Sequence, residues 1–244
     1  MDSLAQSDLT LTQRGTIRRP LLGLTVLLVE DSRFCAEAVR LLCLRSGARL
    51  RRADSRAAAY RHLATYRPSL VLVDIGLPDG SGLDLVRDLA AHRPGAPTLL
   101  VVSGDPDLSA EAMAAGADGF LQKPLKNIID FQDAVRRCFP DRAAGADANI
   151  IPIRADVEPD KLAVQEDLRH LCALLGDRGA ASDPETLAYC AQFLHSVAHA
   201  SDDPGLRATA DILSDFAARD PVDARALADI LADLSARFTR DSVI

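Results

Sequence analysis

Along residues 24–138, short apolar runs alternate with stretches whose apolar positions recur at helical spacing. TVLLV at 25–29 gives way to Glu30, Asp31 and Ser32, then to a helical pattern through Ser46 with Phe34, Val39, Leu42 and Cys43 on one face. A short strand near 49–53 precedes an Ala-rich helix at 55–66, and LVLV at 70–73 delivers Asp74 ahead of a helix at 83–91. TLLVVS at 98–103 leads through GDPD to an Ala-rich helix closed by Gly116, and GFLQKP at 119–124 leads to a helix carrying Phe131, Ala134, Val135 and Cys138. Five strand-helix repeats with near-continuous Val and Leu runs predict an α/β fold: a five-stranded parallel, doubly wound sheet covered on both faces and joined by right-handed crossovers.

The pattern then changes. Pro140, Gly145, Pro152 and Pro159 interrupt an Ala- and Asp-rich stretch, which predicts a linker over 141–159. Beyond it helical patterns run over 160–175, 185–200, 205–218 and 222–240. Three of them open with Asp-Pro, at 183–184, 203–204 and 220–221. Asp there can accept the unpaired N–H groups of a helix start, and the Pro ring presets φ for the first helical residue. Residues 160–244 are therefore expected to be a small all-α helical bundle. Residues 1–20 are polar, carry Arg14, Arg18 and Arg19 without clear period, and are expected to be a flexible arm ahead of a first domain at 21–140.

A length of 244 residues suits one large or two small domains, and 48% hydrophobic with 26% charged residues is ordinary globular composition. The longest apolar run near the N-terminus, 21–29, is too short to span a bilayer, so a cytoplasmic protein with no membrane partner is expected. Five widely spaced cysteines without a CxxC signal neither a disulfide framework nor a zinc site, and are expected to be buried reduced thiols. Charge is uneven. Residues 151–244 hold 9 Lys and Arg against 17 Asp and Glu, whereas the first 150 hold 19 against 18. The acidic second half should repel nucleic acid.

Chemistry gathers at the strand ends. Asp74 sits where an apolar run stops at Pro78, Asp79, Gly80 and Gly82. Alone it fits either a helix-capping aspartate or a group in the crevice beyond the strands, where ligands of open α/β sheets bind. Glu30-Asp31, Ser103 and Lys123 end three other strands and point into the same crevice. Clustered carboxylates repel unless a cation joins them, and oxygen-only ligands suit Mg²⁺. With a metal and a lysine ammonium, the crevice can hold a phosphoryl group on Asp74, the nucleophile, with charge dispersed over Mg²⁺ and Lys123 and the Ser103 hydroxyl donating to a phosphoryl oxygen.

Leu28-Val29-Glu30-Asp31-Ser32, Val73-Asp74-Ile75-Gly76-Leu77-Pro78-Asp79-Gly80-Ser81-Gly82, Ser103-Gly104 and Phe120-Leu121-Gln122-Lys123-Pro124 together resemble the receiver domain of two-component response regulators, with every signature in order from residue 23 to about 140. The resemblance implies a flavodoxin-like receiver in which Asp74 takes phosphate from a sensor histidine kinase or histidine phosphotransferase. It implies that Glu30, Asp31, Asp74 and the backbone carbonyl of Gly76 hold Mg²⁺, that Lys123 contacts the phosphate, that the Lys123–Pro124 bond is cis, and that Ser103 and Phe120 form a switch pair. Such a protein assists its own phosphorylation and dephosphorylation without being an enzyme in the usual sense. Gly76, two beyond the phosphoacceptor, has no side chain to shield an acyl phosphate from water.

The second module lacks the basic face a DNA-recognition helix needs, and carries no GGDEF-like, HD-type or ATPase signature. A helical module binding an unknown downstream protein is the expectation. The alternative is a phosphorelay protein whose bundle resembles a histidine phosphotransfer domain and uses His195 in FLHSVAHAS, although Ala198 and His199 stand where that family carries Lys and Gly. Leu187, Cys190, Ala191, Leu194, Val197 and Ala198 make that helix's apolar face, with His195 at its edge. Leu227, Ile230, Leu231 and Leu234 read as bundle core, and pairing into a homodimer stays open. His170 reads as core or boundary, and the Arg45, Arg49, Arg51, Arg52 cluster as solvated surface.

Overall fold

The computed structural model describes residues 19–92, 95–139, 161–176, 183–218 and 224–240. The arm (apart from its last two residues), the linker and the Asp220-Pro221 helix start lie outside them. Strands β1 (Thr25–Val29), β2 (Arg49–Ala53), β3 (Leu70–Asp74), β6 (Thr98–Ser103) and β7 (Gly119–Gln122) form one parallel sheet in the order β2-β1-β3-β6-β7. Between β3 and the next helix, Pro78-Asp79 turn a two-residue antiparallel ribbon, β4 (Gly76–Leu77) with β5 (Gly80–Ser81).

Alternation along the strands serves two cores. Val26, Leu28, Leu70, Leu72, Leu100 and Val102 face α1 (Arg33–Ser46) and α5 (Ile128–Arg137), where they meet Val39, Leu42, Phe131 and Val135. Their neighbours Leu27, Val29, Val71, Val73, Leu99 and Val101 face α2 (Arg56–Thr65), α3 (Gly82–Ala90) and α4 (Ser109–Ala114). A strand buried on both sides needs apolar residues at every position, hence the unbroken runs. Burying each such side chain contributes about 1.5–3 kcal/mol. Helix α1 stops at Gly47, whose φ of 85° is the left-handed conformation glycine adopts without steric cost.

Four helices follow, α6 (Lys161–Gly176), α7 (Pro184–Ser201), α8 (Pro204–Ala217) and α9 (Ala224–Arg240). Leu168, Leu171, Leu187, Cys190, Leu194, Val197, Leu206, Leu213, Leu227, Ile230 and Leu234 form their shared core. Two of the Asp-Pro starts behave as their chemistry requires. The Asp183 carboxylate accepts from the Thr186 amide, and that of Asp203 from the amides of Gly205 and Leu206.

Some expectations need correction. The five cysteines are unpaired, but Cys138 and Cys172 are only half-buried. His170 is exposed, its ring meeting Phe193 edge-on. Arg52 leaves the surface cluster to donate to the backbone carbonyls of Glu30 and Asp31, and Arg51 stacks over Tyr66.

Candidate functional site

The five strands end on one edge, and the acidic residues converge there because β1 and β3 are adjacent and in register, Val29 opposite Val73. One carboxylate oxygen each from Glu30, Asp31 and Asp74 lies within 4.8 Å of the others. From the end of β7, Lys123 reaches across with its ammonium 2.8 Å from Glu30 Oε2 and 2.9 Å from Asp74 Oδ1. Lys123 and Glu30 are each only 2% exposed and Asp74 6%. Asp74 caps no helix: α3 is capped by Ser81 and α2 by Ser55, with Asp79 accepting from the Arg56 and Ala57 amides.

Three carboxylates and one ammonium leave two uncompensated negative charges in a buried site. Burial, reinforced by Asp74, pushes the Asp31 carboxyl up to about 6, against the pull of the Tyr189 hydroxyl and Lys123. Burial likewise holds Glu30 well above the usual carboxylate range. Burial also disfavours the Lys123 ammonium, but Asp74, with Cys35 and Glu30, outweighs it and holds that lysine well above its ordinary value. An all-oxygen donor set with two charges to offset fits a hard divalent cation.

Ser103, at the end of β6, is buried and lines the same crevice, its hydroxyl accepting from the Asp105 amide at 3.1 Å. The Lys123–Pro124 bond is cis. Phe120 stays apart. It lies opposite Val101, two positions back from the Ser103–Gln122 pair, half-buried against the second core.

Residues 26–136 match the profile of the response regulator receiver domain. This segment is a response regulator receiver domain. Curated relatives include the KDP operon transcriptional regulatory protein KdpE of Escherichia coli K12, 32% identical over 100 residues that are 41% of this chain and 44% of that protein. The virulence transcriptional regulatory protein PhoP of Salmonella typhi is 28% identical over 152 residues, 61% of this chain and 67% of its own. The chain thus spans less than half the length of KdpE. A solved CheY-like receiver domain from Methylobacillus flagellatus is 26% identical, with a TM-score of 0.43, covering 47% of this chain and 98% of that one.

The receiver domain's acidic crevice is covered by the helical bundle, which the sequence did not lead us to expect. The Tyr189 hydroxyl donates to Asp31 Oδ2 at 2.6 Å, and Lys123 Nζ donates to Ser196 Oγ at 2.7 Å. An ideal Cβ placed on Gly76 would meet Gln192 Cδ at 2.7 Å, so the missing side chain leaves a notch that Gln192 fills. On α6, buried Asp167 accepts from the Ser32 hydroxyl at 2.7 Å, the Arg33 amide at 2.8 Å and the Phe34 amide at 3.1 Å. It thereby caps the receiver's first helix from another domain. Phe34, Cys35 and Ala200 close a small apolar contact beside it.

Between the two domains lies a cavity of about 650 Å³, with Asp31, Asp74 and Ser103 on one wall and Gln192, His195 and His199 on the other. His195 reaches this wall from the side. It is 37% exposed, and its Nε2 lies 3.4 Å from Asp211 and 3.5 Å from Ser214 of α8.

Proposed function

We propose that this chain is a two-component response regulator in which the receiver (21–140) and the helical module (160–244), joined by 141–159, act as one phosphorylation switch. Asp74 accepts a phosphoryl group from a sensor histidine kinase or histidine phosphotransferase. Glu30, Asp31 and Asp74, with the Gly76 backbone carbonyl, would hold Mg²⁺, which when bound neutralises charge on the phosphoryl oxygens. Lys123 and Ser103 contact those oxygens, and Ser103 with Phe120 relays the change to the surface.

The observation that carries the reading is the bundle lying on the phosphoacceptor site. Lys123 is shared between Asp74 and Ser196, so a phosphoryl group that recruits its ammonium competes with docking. Phosphorylation then loosens the bundle and frees the polar face of α7 for a downstream protein, by the usual logic in which added charge biases a bistable contact. The acidic surplus of residues 151–244 speaks against DNA as that partner. Among the described residues no helix is long and apolar enough to cross a membrane, in keeping with a cytoplasmic place. Relay through His195 is less well supported, because Gln192 and Ser196 are the residues placed against Gly76 and Lys123, while the His195 ring is held by Asp211 and Ser214 of α8.

The test loads the full chain with a small phosphodonor and Mg²⁺ and assays survival of bound phosphate in alkali, with D74N and H195A in parallel. An alkali-labile signal lost in D74N and kept in H195A is expected. An alkali-stable fraction requiring both residues would overturn the reading in favour of a relay.

A further inference from the structure

We infer that the bundle is its own receiver's phosphatase arm, with Gln192 as the positioning residue for the hydrolytic water; this rests on Asp74 carrying an acyl phosphate. Three observations converge. Gly76 leaves open the space beside Asp74 that a side chain would otherwise close, and the Gln192 carboxamide enters that space, its Nε2 2.8 Å from where a Cβ would stand. The Gln192 side chain makes no hydrogen bond to any described residue and is exposed to the cavity, so its carboxamide oxygen and NH2 are both free to hold water. The cavity itself, about 650 Å³, accommodates a phosphoryl group on Asp74 together with several waters, each needing roughly 30 Å³.

Phosphoryl transfer asks for an attacking oxygen roughly in line with the leaving one. The leaving oxygen belongs to Asp74 on the receiver wall, so the attacking water comes from the side where α7 presents Gln192. Gln192 Oε1 accepts a hydrogen bond from one water O–H and turns the oxygen lone pair toward phosphorus. The new P–O bond forms to water, and the P–O bond to the Asp74 carboxyl breaks. Its electron pair returns to Asp74 as carboxylate, and hydrogen phosphate leaves with one proton released to solvent. No base or further co-reactant is required. Docking therefore shortens the phosphate's life and release of the bundle lengthens it, so a downstream protein that captures the freed α7 face also preserves the signal that freed it.

The experiment loads the full chain with acetyl phosphate and Mg²⁺, removes the donor, and follows decay of alkali-labile phosphate in wild type, Q192A, Q192L and Q192E. Loss of one positioned polar group from a reacting site costs 10²–10³ in favourable cases, and about tenfold is expected at this solvent-open site. Q192A and Q192L should both hold phosphate about tenfold longer, and Q192E, which keeps an acceptor, should recover part of the rate. Unchanged decay in Q192A, or faster decay in Q192A that Q192L corrects, overturns the inference, the second outcome because it marks Gln192 as a shield. Absence of any Asp74-dependent labile phosphate in wild type and in Q192A and Q192L alike instead overturns the underlying reading, and the inference with it.

Discussion

Replacing Asp167 by Ala should release the bundle from the receiver while leaving both folded. The carboxylate is 2% exposed and accepts three hydrogen bonds across the interface, from the Ser32 hydroxyl and the Arg33 and Phe34 amides. Hydrogen bonds to a charged group contribute about 1.5–3 kcal/mol each, and a carboxylate at a helix N-terminus about 0.3–1 kcal/mol more. Against these stand rehydration of the two amides in the open form and the cost of burying Asp167 in the first place. Ser32 Oγ also continues to cap α1 through the Cys35 amide. A net loss of about 3 kcal/mol follows, roughly a hundredfold shift toward the open form at 1.4 kcal/mol per decade. Amide hydrogen exchange reads this directly, since Arg33 and Phe34 should lose protection by about that factor while core amides of β1 and β3 do not. Small-angle scattering should report a larger radius of gyration. Unchanged exchange at Arg33 and Phe34 together with unchanged scattering would refute the reasoning, for the interface would then be held by contacts other than this cap.

Magnesium affinity should rise as pH is taken from about 5 to about 7, because the carboxylates proposed to hold it must be deprotonated and burial pushes the Asp31 carboxyl up to about 6. The same raised pKa means that the folded metal-free protein binds this proton more tightly than the unfolded chain. Its melting temperature in chelator should therefore fall as pH climbs from the ordinary aspartate range through about 6, and Mg²⁺ should remove that decline. Gly82→Ala should abolish Asp74 phosphorylation or folding, read by labile phosphate and by circular dichroism, since a Cβ at Gly82 would collide with the Asp74 backbone carbonyl. A G82A protein with normal melting and normal labelling would count against that steric account.

The receiver was legible because its signals are local and redundant. Unbroken Val and Leu runs require a sheet buried on both sides, and the strands end at the polar residues that gather in the crevice: Glu30-Asp31, Asp74, Ser103, Lys123. Even the notch at Gly76 could be seen, though not what fills it. The covering face was hidden because Tyr189, Gln192, Ser196 and His199 occupy the polar side of an amphipathic helix, where polar residues ordinarily meet solvent. Their spacing of three and four is itself the stripe signal that a helix surface offers, but hydropathy alone cannot separate a wet stripe from one that meets another polar surface. Asp167 escaped for a similar reason: the second of two adjacent acids in Gln165-Glu166-Asp167 reads as a solvated charge until a helix N-terminus is brought to it from 134 residues away.

The apolar part of the domain contact is small: Phe34, Cys35 and Ala200, flanked by Ala163 and Val164, with the remainder hydrogen bonds and ion pairs. Heat-capacity change and denaturant sensitivity both scale with the surface a transition exposes, the heat capacity rising with apolar exposure and falling with polar exposure. Parting the domains therefore carries only a small heat-capacity change, because the little apolar surface exposed is offset by the polar surface exposed with it. The α7 face that opening would release is already dressed for water, so parting the domains would not present the sticky surface through which opened proteins aggregate.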